Sequence, residues 1–578
     1  MSAAGDTGMP QYQRRGRLSK RVPDAPLWLA GRLGVSGREL ACLGAIVLAA
    51  AVLRLVALPT RGGWDSDQGT EMLALRAALT SGHLPIFGPE AISVTSSFHH
   101  GALYYDLLLP AAWLGNGDPT WVVAEISLLS LIVVPVVWWI ARSIGGTAAG
   151  LCAALLAAAS ASLIGYATFI WNPTLVEPGA ALAFLGAWQA LRTRHAAWWI
   201  LAAGGTAVAV QAHIAAAVIV LPLAAAFLVD LRRGPVLRRR RTAAWGAAGV
   251  ALFVASYLPL IVHELGHDFS DARGMLAYFG DPNSASSTSP LLRLLFAAIR
   301  IFAWPLTRWP MVDLKPAFPV AFATAAALMI GLIWRLGVTA RPEATDASPA
   351  TGWGGEEPGK TGEEPGSRDP ETAASIERFG VRLVSGWLLL IVVALGLGLH
   401  AVSEVQALPT EQYHVVADPL ILVATGLILG GLWRPLRRRW FTVSRRAAVV
   451  AIVAALLAWN VGHWPPLTAP DGGWPAAQAA AAKLERDAGG SSIALVPLFE
   501  AKGSDAYLYP LTRDGFTLVS PAKATTVVLL CDVYWLGGCG GSAEANWVAT
   551  NPAGRGLTWR DQFRAAPDRI LTVYRRGP

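Results

Sequence analysis

LACLGAIVLAAAVLRLVALPTRGGWDSDQGTEMLALRAALTSGH, residues 40–83, sets how the rest of the chain is read. Its first part, residues 40–58, is an apolar run long enough to cross a ~30 Å hydrocarbon core as a helix. The chain then turns polar at once and places two carboxylates, Asp65 and Asp67, just beyond the run. Acids held that close to a bilayer surface are either solvated loop residues or groups able to act as a general base or bind a cation. The D-x-D spacing alone does not separate the two readings, because so short a pattern recurs by chance.

The composition decides the setting. Of 578 residues, 54% are hydrophobic and only 15% charged, and the mean hydropathy is +0.44; soluble domains do not reach these values. Hydropathy predicts about eleven crossings, near residues 40–58, 121–141, 147–166, 174–191, 196–210, 212–229, 243–262, 317–336, 380–401, 416–433 and 446–463. The expected class is an all-α polytopic membrane protein. Residues 1–39 are polar and basic, and no small-residue cleavage site follows the first run, so a retained first helix is expected rather than a signal peptide.

Net charge is +8, but the basic residues sit in short loops between apolar runs, which is a topology signal and not a nucleic-acid surface. RRGRLSKR (14–21), Arg142, RTRH (192–195), LRRGPVLRRRR (231–241), the segment 335–382 and RPLRRRWFTVSRR (434–446) all fall on one side of the expected bundle. That side is assigned to the cytoplasm. Residues 59–120, 167–173, 263–316, 402–415 and everything after 464 then face outward. The Ala, Gly and Arg content suggests a GC-rich bacterium, hence a cytoplasmic (inner) membrane protein with its N-terminus inside and C-terminus outside.

Two segments differ from the bundle. Residues 341–378, with GGEEPGKTGEEPG, have almost nothing apolar to bury and are expected to be a disordered cytoplasmic linker. Residues 465–578 read as a small extracytoplasmic α/β domain, with an amphipathic helix in WPAAQAAAAKLERDAG and strands in SSIALVPLF, TTVVLLCDVYWL and DRILTVYRR. It shows no phosphate loop or nucleophile elbow and reads as accessory, a lid or an acceptor-docking surface. Cys531 and Cys539 bracket CDVYWLGGC there, and an outside location favours a disulfide between them; Cys42 and Cys152 lie in apolar runs as small fillers.

In the first outer loop, DQGTEMLALRAALTSGH from Asp67 and HGALYYDLLLPAAWLG from His100 resemble the corresponding loop of polytopic C-superfamily glycosyltransferases. The match is to the bacterial, family-39-like branch that resembles protein O-mannosyltransferases and lipid A aminoarabinose transferases. In that family an acid opens a helix, a Ser-Gly pair closes it and a Pro-Pro-Leu-Tyr-Tyr-like stretch follows; Asp67, Ser81, Gly82, Leu103, Tyr104 and Tyr105 occupy those places, with Gly101-Ala102 in place of the two prolines. The resemblance implies transfer of a sugar from a polyprenyl-phosphate carrier to a glycan, lipid or protein acceptor on the outer face, with inversion. It makes Asp67 the base, with Asp65 the runner-up.

Departures accompany the match. Asp67-Gln68 stands where many relatives have Asp-Glu, and His99-His100 stands where relatives carry a lysine thought to meet the lipid phosphate. His99 or His100 can meet the phosphate when protonated or as a neutral hydrogen-bond donor, and the protonated contact predicts a rate that falls as pH rises through the histidine range; Arg61 is the alternative cation. Tyr104, Tyr413 and His414 are further donor contacts by resemblance, and Trp171 and Asn172, in FIWNPT, are expected either to line the cavity or to anchor the interface. Gln211 and His213, between two apolar runs, are read as packing or ligand groups. Some relatives use a divalent metal, but no recognisable metal cage is present in the sequence.

HELGH, residues 263–267, matches the zinc-protease motif. Zinc catalysis needs a third protein ligand; the metzincin position is Arg273, and the Asp-Gly pair at Asp471 lies in a Pro-rich linker after the last run. The same stretch resembles a glycosyltransferase segment in which Glu264 and His267 face the active cavity. An intramembrane zinc protease and a non-catalytic transporter of lipid-linked sugars are the competing readings.

Overall fold

A computed structural model describes residues 34–92, 96–233, 235–280, 289–308, 318–340, 370–397, 411–489, 492–499, 503–516 and 518–577. Among these, seven helices are long and apolar enough to cross a membrane: Pro119–Gly145, Ile214–Arg232, Pro290–Thr307, Phe318–Thr339, Glu371–Leu397, Val415–Trp433 and Arg439–Gly462. Val236–Ser256 and Leu258–Gly266 form an eighth if counted as one span bent by 59°; Pro259 in the first turn of the second piece cannot donate to the helix before it. The remaining expected crossings are shorter, broken or more charged helices. They are Gly37–Leu55 with Arg38, Glu39 and Arg54, Thr147–Ala159 followed after Ser160 by Ala161–Tyr166, Val176–Thr193, and Trp198–Ala212.

Two expectations need correction. Residues 263–316 are not a plain loop: Ser270–Gly280 and Pro290–Thr307 are helical. Arg293 and Arg300 interrupt the apolar run of the second helix, and both are buried against protein. The linker expected over 341–378 stops earlier, because Pro370–Leu397 is one helix; residues 341–369, like 402–410 of the late outer loop, lie outside the described residues.

Side-chain pairs orient the bundle. Glu377 takes both Arg335 and Arg434 at one end. Gly396 lies about 28 Å further along the same helix at about 1.5 Å per residue, and a Cβ there would stand 2.9 Å from Leu294. At the other extremity of Pro290–Thr307, Asn460 donates to the Leu306 carbonyl and Arg308 to that of His463. Both ends of this helix therefore lie toward the end of the bundle opposite Glu377.

That end is built by the first loop. The helix Ser66–Ser81 follows Trp64, then a hairpin of β1 (Phe87–Ile92) and β2 (Ser97–Gly101), then the helix Leu103–Leu114. The loop thus contains a hairpin as well as short helices. The terminal region packs directly on it. Helix Gly473–Ala488 and helices Asp505–Arg513 and Ser542–Thr550 surround a sheet ordered β3 (Ile493–Pro497), β4 (Thr526–Asp532), β6 (Arg569–Arg576), β5 (Leu557–Ala566). β3 and β4 run parallel and the other pairs antiparallel. Strand β5 has no clear apolar alternation, which is why the sequence did not single it out.

Trp64 is the hinge point of this packing. Its indole lies 4.5 Å from that of Trp474 and donates to the Ala506 carbonyl, while Arg569 donates to the Trp64 carbonyl. Gly69 lets the Asp505–Ala506 backbone rest on the loop helix, for a Cβ there would stand 2.1 Å from the Asp505 carbonyl oxygen.

Candidate functional site

The loop helix starts one step before the family pattern places it. Asp65 is its N-cap: an Asp65 carboxylate oxygen accepts the Asp67 N–H at 2.8 Å, and the Gln68 side chain accepts the Asp65 N–H at 2.9 Å. This reciprocal capping box satisfies two backbone donors that a helix start otherwise leaves open. Asp67 occupies the second helical position and is exposed.

Beside this helix start opens a cavity of about 460 Å³, walled by Arg61, Asp65, Gln68, Phe169, Arg308, Asp471, Asp568 and Arg569. Arg569 pairs with Asp471 at 3.2 Å and with Asp568 at 3.3 Å. The Arg61 guanidinium donates to the Leu53 and Pro465 carbonyls, and Arg308 donates to that of His463. Among the described residues the Arg61 Nε has no hydrogen-bond partner. Burial, and then the neighbouring Arg308, lower the Arg61 pKa from the ordinary arginine value. Two guanidiniums pressed together against one cavity present an anion-binding wall.

A second cavity, about 180 Å³, is lined by Glu90, Phe98, His100, Trp171, Asn172, His213, Tyr278 and Tyr413. The two cavities share a partition, since Phe169 of the first and Trp171 of the second stack at 5.7 Å and Gln68 donates to the Ile170 carbonyl between them. Asn172 is tied to the Ala212 carbonyl, and the His213 ring lies 5.6 Å from His100 and 5.1 Å from Tyr413. Burial, with smaller pushes from His213 and His99, brings the His100 pKa down to about 3. It is therefore neutral in the physiological range, and its buried Nδ1 has no hydrogen-bond partner among the described residues. Tyr413 is pushed up to about 12, chiefly by burial. This pocket suits a neutral, hydroxyl-rich ligand better than a phosphate.

The structure thus brings Arg61 and Asp65 together, and separately His100, Trp171, Asn172 and Tyr413. The other sequence candidates lie elsewhere. His99 is clamped by Asp271, whose carboxylate accepts its N–H at 2.9 Å and meets its ring Nδ1 at 2.8 Å. Glu264 accepts the Asp271 and Ala272 N–H groups, so it caps the helix that carries this clamp. His263 and His267 stack face to face at 3.7 Å, with the His267 ring bound to the His263 carbonyl. Asp471 accepts from the Trp64 and Gly473 backbones and from Arg569. Among the described residues no three His, Cys, Asp or Glu side chains converge on a metal position.

Tyr104 and His414 are buried away from both cavities, and Cys531 is bonded to Cys539. Below Asp67 lies Glu71, 5% exposed, whose carboxyl is pushed up to about 8 mainly by burial, against a hydrogen bond from Tyr105. Glu71, Arg308, Asp568 and Arg569 were missed by the sequence reading. The last three meet the first loop only through tertiary packing, and no local pattern marks them; Glu71 lies in the quoted helix, but its burial is not legible from spacing.

No protein-family model matches the chain, and no curated protein matches it. Solved structures do. The crystal structure of ArnT from Cupriavidus metallidurans bound to undecaprenyl phosphate is 13% identical, with 95% of this chain covering 98% of that one at a TM-score of 0.55. The apo form of the same protein gives 13% identity, 92% and 97% coverage and a TM-score of 0.54. The Archaeoglobus fulgidus oligosaccharyltransferase tethered to an acceptor peptide gives 11% identity, 93% and 74% coverage and a TM-score of 0.45. The likeness to ArnT is one of fold and runs nearly the length of both chains. The chain thus shares the fold of the two ArnT structures.

Proposed function

We propose that this chain is a membrane glycosyltransferase that moves a sugar from a polyprenyl-phosphate carrier to an acceptor at the outer face of the membrane. One observation carries the reading. Arg61 and Arg308 form a cationic wall in the 460 Å³ cavity, with Asp65 on that wall and Asp67 exposed beside it, in a chain that has the fold of ArnT. A lipid-linked donor answers a physical need, because an enzyme working outside the cell has no nucleotide sugar to draw on.

The guanidiniums of Arg61 and Arg308 bind the phosphate and stabilise the charge that grows on it as the sugar leaves. Asp67, exposed on the water side, takes the proton of the acceptor hydroxyl. The acceptor oxygen bonds to the anomeric carbon from the face opposite the phosphate, and the carbon–oxygen bond to phosphate breaks with its electron pair staying on the phosphate. Configuration inverts in this single displacement. The neutral pocket of His100, Asn172 and Tyr413 holds the sugar hydroxyls, while His99 and Glu264 position β2 and the helix beside it. The basic loops support a count of eleven crossings with the N-terminus cytoplasmic and the terminal sheet outside.

A second assignment of the base rests on a specific observation: Asp65, not Asp67, lines the arginine cavity. Mass spectrometry of co-purifying lipids in wild type, Asp67→Asn and Asp65→Asn tests both levels. The proposal expects polyprenyl phosphate in the wild type and its sugar-bearing form enriched in Asp67→Asn. Enrichment in Asp65→Asn alone moves the base to Asp65. Absence of any polyprenyl phosphate from all three rejects the transferase.

A further inference from the structure

Where the terminal sheet meets the loop helix there is another cavity, about 240 Å³, lined by Asp65, Ser66, Phe499, Asp532, Tyr534, Trp535, Asp568 and Arg569 among others. It shares Asp65, Asp568 and Arg569 with the arginine cavity, so the two adjoin at these residues. Trp535 is 44% and Tyr534 71% exposed. The Trp535 ring lies parallel to that of Phe499, centroids 5.4 Å apart and planes 3° off, and Tyr534 stands edge-on to it at 4.9 Å.

These rings are held out on purpose-built backbone. The loop between β4 and the helix Ser542–Thr550 is closed by the Cys531–Cys539 bond, and Val533 donates to the Asp568 carbonyl at 2.7 Å. Asp532 accepts the Tyr534 N–H at 2.9 Å. The three rings together form an exposed aromatic surface, the kind of patch that marks a binding site, and a flat apolar face can stack on it. Carboxylates beside it demand hydroxyl or ammonium donors.

A sugar ring supplies both, with a face of C–H groups for the indole and hydroxyls on its rim for Asp532, Asp568 and Ser66. Among the described residues that line the cleft, three aspartates face one arginine, and that arginine is already paired. The field therefore disfavours phosphorylated or uronate chains. We infer that this aromatic and acidic cleft is the acceptor subsite of the transferase, and that it takes a neutral saccharide chain whose end reaches the Asp65–Asp67 side. The assignment rests on the transferase reading for its purpose, but the binding it describes does not require turnover.

The test is saturation-transfer NMR on the full-length protein in detergent with maltotriose, mannotriose and arabinotriose, and with trigalacturonate as the acidic control. Binding of at least one neutral trisaccharide is expected, with trigalacturonate unbound. Trp535→Ala and Tyr534→Ala should each weaken binding about tenfold while leaving polyprenyl phosphate binding and hydrolysis of the donor by water unchanged. Both side chains project from the surface, so neither variant removes core. Failure of all three neutral sugars to bind, wild-type affinity in both variants, or equal binding of trigalacturonate overturns the subsite. Lipid binding without saccharide binding rejects the subsite and leaves the transferase standing; saccharide binding without lipid does the reverse.

Discussion

Glu71 offers a quantitative test of how the first loop is packed. It lies one turn beyond Asp67 on the loop helix, 5% exposed, with one carboxylate oxygen lacking a hydrogen-bond partner among the described residues. Burial raises its pKa from 4.5 to about 8, and Asp67 adds to the rise. The folded protein therefore keeps a proton that the unfolded chain gives up above 4.5. Stability is unaffected by this group below that value and falls with pH through the window up to about 8, at about 1.4 kcal/mol per pH unit. The full loss is about 5 kcal/mol above the window and about 3 kcal/mol at pH 7. Glu71→Gln keeps the shape and removes the titrating proton, so it should match wild type near pH 4.5, gain on it up to about pH 8 and hold that gain at pH 9. With an unfolding entropy of about 2.1 cal/mol/K per residue, the gap in melting temperature reaches about 4 °C at pH 9. Thermal melts of both proteins in one detergent across this range check it. Parallel curves would show that Glu71 ionises without penalty and that the packing argument is wrong.

Other predictions follow from the same end of the molecule. Gly69→Ala should stabilise the isolated helix by about 1 kcal/mol yet destabilise the protein by about 1–3 kcal/mol, because the new methyl meets the Asp505 carbonyl at 2.1 Å. Limited proteolysis should then release the terminal region faster than in wild type. Arg61→Ala should weaken polyprenyl phosphate binding by about 10- to 150-fold, the worth of a charged hydrogen bond of about 1.5–3 kcal/mol, measured by lipid titration. Because His100 is already neutral with its pKa near 3, transfer should be flat with pH across the ordinary histidine range of about 6–7, and not fall as a protonated phosphate contact requires. A rate falling tenfold per unit there would restore the imidazolium.

How much of this was legible depends on where each signal resides. Crossing helices announce themselves, because the lipid asks only for apolarity within the run itself. Pro290–Thr307 escaped for the same reason: Arg293 and Arg300 look like loop residues until the protein that buries them is known. The capping box was readable in principle, with Asp65 three residues before Gln68 at a helix start, yet the family pattern drew attention to Asp67. Arg308 and Arg569 could not be found this way, and Asp471, noticed only beside the zinc motif, could not be placed here. They reach the site across hundreds of residues, and Arg569 is chosen there by the Trp64 carbonyl and Asp471, partners no local spacing encodes.

HELGH shows the converse, a local pattern with a tertiary meaning of its own. Zinc asks three donors to converge while one position stays open; spacing of four along a helix only brings two rings to one face. Here those rings stack on each other, and the glutamate between them spends both oxygens on the amides that begin the next helix. That helix presents Asp271 to the His99 N–H and ring, and so fixes the strand in which the next residue, His100, is buried at the wall of the second cavity. The glutamate thus acts on the site at one remove, through a helix start and a carboxylate clamp. The five letters are held by what they position, and a catalytic metal is not needed to account for them.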